Sequence, residues 1–216
     1  MSVPVSLQQL KQAIKDLNEA RAKELAQKAL SEGISPLTVI EQGLAAPLRE
    51  IGEMFGRGEL FLTDLVAGAA AMESAMEVVG PALEKSGEKR ISKGKLVIGT
   101  VEGDIHDIGK NIVSSMIKAN GFDIYDLGKD VPCSRFAEKV KEVNPGVVAA
   151  SALLTSTLPK QEELVRLLTA GGLREKVKVI VGGAPASSVW AQKIGADGYA
   201  PDAAQAVDLV KRLFRV

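Results

Sequence analysis

LVIGTVEGDIHDIGKN, residues 96–111, decides how this chain is read. Its first half is apolar on consecutive residues, as in a strand whose two sheet faces are both covered by helices. It then turns through Gly103, and a helix begins near Gly109. The same alternation continues to the end of the chain. Strand-like runs are LVIGTV (96–101), FDIYDL (122–127), VVAASALL (147–154), VKVIVGG (177–183) and DGYA (197–200). Helix-like runs lie between and after them, near 109–120, 134–143, 158–170, 186–194 and 202–213.

Five β–α units in this order predict an α/β domain with a doubly wound, parallel, five-stranded sheet of the flavodoxin-like (Rossmann-like) kind. Upstream of residue 90 the pattern is different. Leu7, Leu10, Ile14 and Leu17 form one helical stripe, and Ala22, Leu25, Ala26 and Leu30 another. Ser35-Pro36 marks a third helix start ahead of Val39, Ile40, Leu44, Leu48 and Ile51. After the glycine breaks at Gly56 and Gly58, a fourth helix is expected from about Thr63 to Glu84. Four helices with short connections predict a small bundle. The polar segment SGEKRISKG (86–94) reads as a linker, giving a helical domain over 1–88 and an α/β domain over 89–216.

Composition narrows the function. The 27 basic residues are balanced by 27 acidic ones, without the concentrated basic face that a nucleic-acid binder uses. No run of about 20 apolar residues suggests a membrane span. The N-terminus lacks a secretory pattern, and the single cysteine, Cys133, fits a reducing cytoplasm.

In a sheet of this kind ligands bind beyond the carboxyl ends of the strands. Those positions carry GDIHDIGKN, SALLTST and GGAPASS, which all fall on one edge. The first contains His106, the only histidine, two residues after Asp104. A neutral imidazole ligates a transition metal through one nitrogen, and a carboxylate on the other fixes its tautomer. Protein zinc sites need roughly three or four ligands. With one histidine and one cysteine, a single axial ligand makes sense only if a macrocycle supplies the others, as in haem or a corrinoid. Ser151, Thr155 and Thr157 offer hydroxyls at a strand end, and Gly182-Gly183 removes side chains where a bulky group could approach the backbone.

GDIHDIGKNIV, SALLTST and VGGAP resemble the Asp-x-His-x-x-Gly, Ser-x-Leu and Gly-Gly signature of cobalamin-binding domains. IGEMFGRGELFLTDLVAGAAAME (51–73) resembles the helical cap of the methyltransferase branch. The resemblance covers almost the whole chain. It is to the corrinoid proteins of methanol, methylamine and methoxy-aromatic methyl-transfer systems, and to the matching fragment of methionine synthase.

That resemblance implies a cobalamin or related corrinoid, with His106 replacing the cofactor's own lower base on cobalt. Asp104 would hydrogen-bond His106, and Thr157 would continue the relay. Gly103, Ile105, Asp107, Ile108 and Gly109 would surround the ligand, and the nucleotide tail would pass Ser151, Leu153, Thr155, Gly182 and Gly183. Phe55, Phe61, Leu62 and Leu65 would cover the methyl-bearing face. It implies a carrier without turnover of its own. Its partners would be a substrate:corrinoid methyltransferase, a methylcorrinoid:acceptor methyltransferase using tetrahydrofolate or a thiol coenzyme, and a reductive activator. The alternative is a cobalamin-dependent sensor or regulatory module.

Other residues have plainer readings. Asp107 and Lys110 read as a helix cap and a solvated charge, while Asn111 either meets the corrin amides or faces solvent. Cys133 reads as packing, as do Trp190 and Tyr199. Thr63 stands where related caps commonly carry proline, and reads as a possible helix cap.

Overall fold

The computed structural model describes residues 4–87 and 92–216. Residues 88–91 of the expected 86–94 linker, and with them the expected 88/89 boundary, lie outside the described residues. The chain divides into two compact units, Met1–Ile91 and Ser92–Val216.

The first unit is helical. α1 (Val5–Lys15) and α2 (Glu19–Ser31) bury the expected stripes: Leu7, Leu10, Ile14, Ala22, Leu25 and Ala26 are all buried. Leu17 falls outside α1, in the turn between the two helices with a positive φ of 58°. Asn18 caps α2 by accepting the Arg21 N–H at 3.0 Å. The third helix, α3, starts where Ser35 Oγ accepts the Thr38 N–H at 3.2 Å. It runs unbroken through Pro36–Thr38, a π-helical stretch Val39–Ala45, and Ala46–Gly56. The widened stretch has a local cause. Pro47 has no N–H to give to the preceding turn and its ring crowds the carbonyl four residues back, so the turn before it opens. α4 (Leu62–Ser86) begins one residue earlier than expected. Its cap is Asp64, which accepts the Phe61 N–H at 2.8 Å, and not Thr63.

The second unit is the predicted parallel sheet, with β1 (Lys95–Thr100), β2 (Asp123–Asp126), β3 (Val147–Ser151), β4 (Lys178–Gly182) and β5 (Gly198–Tyr199). The strand order is β2-β1-β3-β4-β5, all parallel. The helices between and after them are α5 (Ile108–Ala119), α6 (Cys133–Val143), α7 (Pro159–Ala170), α8 (Ser188–Ile194) and α9 (Ala203–Phe214). α6 and α7 pack against each other, as do α5 and α9, so the two pairs share out the faces of the sheet. Val97, Val148, Val179 and Val181 of the central strands join Phe136, Leu164 and Leu168 in one buried cluster. Strand order reverses between β1 and β3, and in open α/β sheets that reversal opens a crevice at the carboxyl ends.

Candidate functional site

The site lies at that reversal. β1 ends at Thr100, which is fully buried and donates its hydroxyl to the His106 carbonyl at 3.0 Å. The chain then loops to α5 through Gly103, at φ +81°. Asp104, in the middle of the loop, is 0 % exposed although it carries a charge. A buried carboxylate must be paid for with hydrogen bonds, and here both oxygens are saturated. Oδ1 accepts the His106 backbone N–H at 3.1 Å and lies 2.8 Å from His106 Nδ1. Oδ2 accepts the N–H groups of Leu153 at 2.7 Å and Leu154 at 3.2 Å, and the Thr157 hydroxyl at 2.8 Å. β3 stops at Ser151 and not at the expected residue 154: Ala152 N–H still donates to the Gly182 carbonyl, but the N–H groups of Leu153 and Leu154 turn to this carboxylate.

Burial acts to raise the Asp104 pKa. The N–H groups of His106 and Leu153, then the Thr157 hydroxyl and the imidazole, outweigh it and hold the carboxyl well below the ordinary carboxylate range. Asp104 is therefore an acceptor only, and the proton of the shared bond sits on His106 Nδ1. In the neutral ring this leaves the lone pair on the other nitrogen, Nε2. The His106 side chain is 47 % exposed, so that lone pair belongs to an accessible ring. Asp104, His106 and Thr157, which the sequence reading linked, form one chain of hydrogen bonds.

Exposed apolar side chains stand beside His106 in the chain, at Ile105 and Ile108, and on the two residues whose N–H groups bond Asp104, Leu153 and Leu154. Four large aliphatic groups in water beside one imidazole suit a flat, largely apolar ligand. Leu154 was missing from the sequence reading. Gly109 has no positive φ, and a Cβ there would meet nothing within 4 Å. A helical glycine costs about 0.5–1 kcal/mol relative to alanine. The chain's own packing gives no reason for it, which fits close approach by a ligand. Gly183 is the opposite case. It has φ +106°, and a Cβ would lie 1.8 Å from the Ala152 carbonyl oxygen, so the close approach that requires glycine there is by the chain's own backbone. At Gly182 a Cβ would sit 3.3 Å from the Ala200 carbonyl oxygen. Ser151 is half-buried at the end of β3, and Thr155 is exposed outside the Asp104 chain of bonds.

Three sequence readings are corrected. Lys110 is not a solvated charge: its side chain is 1 % exposed, and Nζ sits 2.5 Å from both Asp126 Oδ2 and Asn111 Oδ1. Asn111 is exposed, as one of its two readings expected, and its Oδ1 accepts from Lys110 Nζ. Asp107 occupies the N-cap position of α5 without a side-chain cap bond, and its carboxylate lies 3.8 Å from Lys129 Nζ. Leu65 is fully buried, one turn before Gly68, whose Cβ would touch Ile51, Leu48 and Leu17. It is not an exposed cover residue. Phe61 and Leu62 are exposed, and Phe55 is half-buried.

The packing readings hold for Cys133, Trp190 and Tyr199. The Cys133 thiol is buried, and burial first, then the Glu163 charge, pushes it up to about 11, so it stays a thiol at neutral pH. Trp190 and Tyr199 pack on the core. The Trp190 indole donates to Gln161 Oε1 at 3.0 Å. Gln161 itself was missed. It is fully buried, and its Nε2 donates to the Ala150 and Gly182 carbonyls, both at 2.9 Å, tying the ends of β3 and β4 together. No local pattern marks a glutamine that acts across two strands.

Among the described residues, no group of three or more His, Cys, Asp or Glu is placed to hold a metal ion. Nor is any described helix long and apolar enough to cross a membrane.

Comparison with known proteins shows the family. Residues 94–208 match the family model described as the B12 binding domain, and residues 6–79 match a second model of the same description. The chain is 48% identical to the trimethylamine corrinoid protein of Methanosarcina barkeri, over 95% of each. A solved cobalamin-binding protein from Desulfitobacterium hafniense DCB-2 aligns with a TM-score of 0.73 at 37% identity, covering 98% of this chain and 99% of the other. A chain of the methanol:cobalamin methyltransferase complex of Methanosarcina barkeri aligns with a TM-score of 0.84 at 28% identity, covering 97% of this chain and 80% of that one.

Proposed function

The chain belongs to the family of B12-binding corrinoid proteins, and on that premise we propose that it carries a methyl group on cobalt with His106 as the lower axial ligand. Corrinoid binding and service in a methyltransferase system follow from the family. The observation that supports the ligand assignment is the ionised, saturated Asp104 on Nδ1 of the one histidine, which leaves Nε2 free on an exposed ring.

The residues fit the cofactor. The four exposed aliphatic side chains and the open space beside Gly109 offer a broad apolar seat around a single nitrogen donor. When bound, the corrinoid supplies a cobalt centre that accepts a methyl group and gives it up again. The protein's part is to hold His106 in one tautomer and one orientation, whether or not Nε2 is engaged. Asp104 does this, and Thr157 keeps Asp104 from rotating. Once a ligand is seated on them, Ile105, Ile108, Leu153 and Leu154 would exclude water around the imidazole. Ser151, Gly182 and Gly183 border the strand ends along which a nucleotide tail would lie. In the helical unit Phe61 and Leu62 are exposed apolar side chains and Phe55 is half-buried, and we propose these three as the cover of the methyl-bearing face.

A carrier of this kind needs one methyltransferase to load it and another to unload it, the latter passing the methyl to tetrahydrofolate or a thiol coenzyme. It also needs a reductive activator to rescue oxidised cobalt. We place all of these in the cytoplasm.

The test uses the fact that there is one histidine. The protein is labelled with ¹⁵N-histidine, reconstituted with cobalamin and reduced to the cobalt(II) state. Its electron paramagnetic resonance spectrum should then show the nitrogen splitting of a ¹⁵N ligand, and His106→Ala should lose it. A splitting that the label leaves unchanged means the cofactor's own base is the ligand, and overturns the assignment.

A further inference from the structure

The Asp104 carboxylate is fixed from the β3 side, but its direction also depends on the main chain that carries it. That main chain begins at Gly103, which is at φ +81° and has the widest conformational freedom of any residue. Some other group must hold it.

The segment after β2 does so. Gly103 N–H donates to Asp130 Oδ1 at 2.7 Å, and Asp130 N–H donates back to the Asp104 carbonyl at 2.9 Å. Between those two atoms lie the φ and ψ angles of Gly103 and Asp104, so one residue brackets all four. Asp130 adopts φ +54°, a left-handed conformation costing a non-glycine residue roughly 1–2 kcal/mol, though asparagine and aspartate tolerate it best. Its neighbours are anchored. Val131 N–H donates to the Thr100 carbonyl, Thr100 N–H to the Gly128 carbonyl, and Gly128 N–H to Asp126 Oδ1. Asp126 in turn pairs with the buried Lys110 at the start of α5. The segment 126–131 therefore grips the histidine loop at its start, its middle and its exit.

We propose that Asp130 is the positioning residue of this site: it brackets the Gly103–Asp104 main chain so that the Asp104 carboxylate meets His106 Nδ1. These hydrogen bonds of Asp130 go to Gly103 and Asp104, and it acts through Asp104. The proposal rests on the reading of His106 as the cobalt ligand, but its main test does not need cobalt.

The two roles of Asp130, hydrogen-bond acceptor and left-handed turn, are separable by substitution. Asp130→Asn keeps the acceptor and tolerates the backbone. Asp130→Gly removes the acceptor and relieves the backbone. Asp130→Ser offers a shorter side chain and serves as a second variant should the glycine form not fold. In the cofactor-free protein, ¹⁵N-histidine labelling reports the tautomer of one residue. Wild type and Asp130→Asn should show the Nδ1–H form. Asp130→Gly and Asp130→Ser should raise the other tautomer by about 2–10-fold, the effect of one net hydrogen bond. In the cobalamin-loaded protein the same two variants should weaken the histidine splitting, and Asp130→Asn should restore it.

If the glycine and serine forms keep the wild-type tautomer while only their melting temperature falls, Asp130 is a turn residue and the proposal is overturned. It is also overturned if Asp130→Asn shifts the tautomer as much as glycine does. A wild-type protein with the Nδ1–H tautomer but no ¹⁵N splitting when loaded would defeat the ligand assignment alone, leaving the result on Asp130 standing.

Discussion

The histidine loop of the α/β unit and the 55–65 segment of the helical unit are built on opposite terms. Around Asp104, five donor contacts converge on one buried carboxylate, with donors from its own loop and from the turn after β3. Around Phe61 and Leu62, the chain offers apolar area to solvent, with the Phe61 N–H held by Asp64 and Arg57 paired to Glu59 on the surface at 2.6 Å. Directional bonds fix a position to a fraction of an ångström, while apolar area fixes only that something is covered. The first region should therefore respond sharply to single-atom changes, and the second should tolerate them in stability and respond only in what it protects.

The largest effect should come from a methyl group. Gly183→Ala would place a carbon 1.8 Å from the Ala152 carbonyl oxygen at a φ of +106°. Neither clash nor strain can be relieved by a rotamer change, so the ends of β3 and β4 must move apart. A loss of about 3–5 kcal/mol is expected, in the range of the severe single substitutions. The denaturant midpoint measures it. A near-normal midpoint would mean that this edge is looser than its geometry, and would erase the contrast with the helical unit.

Next comes Asp104→Asn, which keeps the shape but turns one oxygen into a donor. Whichever way the amide faces, an NH₂ group meets either His106 or the Leu153, Leu154 and Thr157 donors. A buried polar mismatch of this kind should cost about 1–3 kcal/mol at neutral pH. The pH dependence has a definite sign. Because the folded-state pKa is depressed, the carboxylate's contribution is complete above the unfolded value of about 4 and is lost as pH falls below it, toward the lower folded value. The gap between wild type and Asp104→Asn should therefore shrink as pH falls from about 4 toward the lower folded value. Urea midpoints across that range check it. A gap that widens below pH 4 would mean that the Asp104 carboxyl is not held below the ordinary carboxylate range in the folded protein.

What could be read from the sequence follows the same division. The consecutive apolar strands, the Ser35-Pro36 helix start and the Asp104–His106 spacing are local patterns, and the structure contains each of them. The contribution of Asp130, the N–H donors of Leu153 and Leu154 and the two-strand bond of Gln161 are tertiary. A main-chain N–H has no residue identity to read, and the partner of an aspartate 27 residues away leaves no periodicity. Lys110 misled for the same reason. A lysine in the first turn of a helix opposes the helix dipole and reads as solvated, until Asp126 is brought beside it. In the helical unit, identity was readable but exposure was not: Phe61, Leu62 and Leu65 look alike in sequence, yet only Leu65 is buried.

The smallest effect on stability belongs to that exposed pair, and it is the most informative about function. Phe61 is 79 % exposed and Leu62 is 51 % exposed, so replacing both by alanine removes little buried area. Unfolding should shift by no more than about 0.5 kcal/mol per site, as for ordinary surface positions. If the two side chains nonetheless shield the methyl-bearing face of a bound corrinoid, the methylated protein should lose its methyl–cobalt bond faster in light, because the departing radical is less confined. A fragment beginning near Lys93, which retains His106, Asp104 and Thr157, should bind the corrinoid and photolyse faster still. Photolysis rates of the three proteins, measured beside their circular dichroism and melting curves, separate the possibilities. A double variant that melts normally and photolyses like wild type assigns the exposed pair some other partner. One that melts several kcal/mol early makes Phe61 and Leu62 part of the bundle's packing, and the difference between the two regions would then be one of degree.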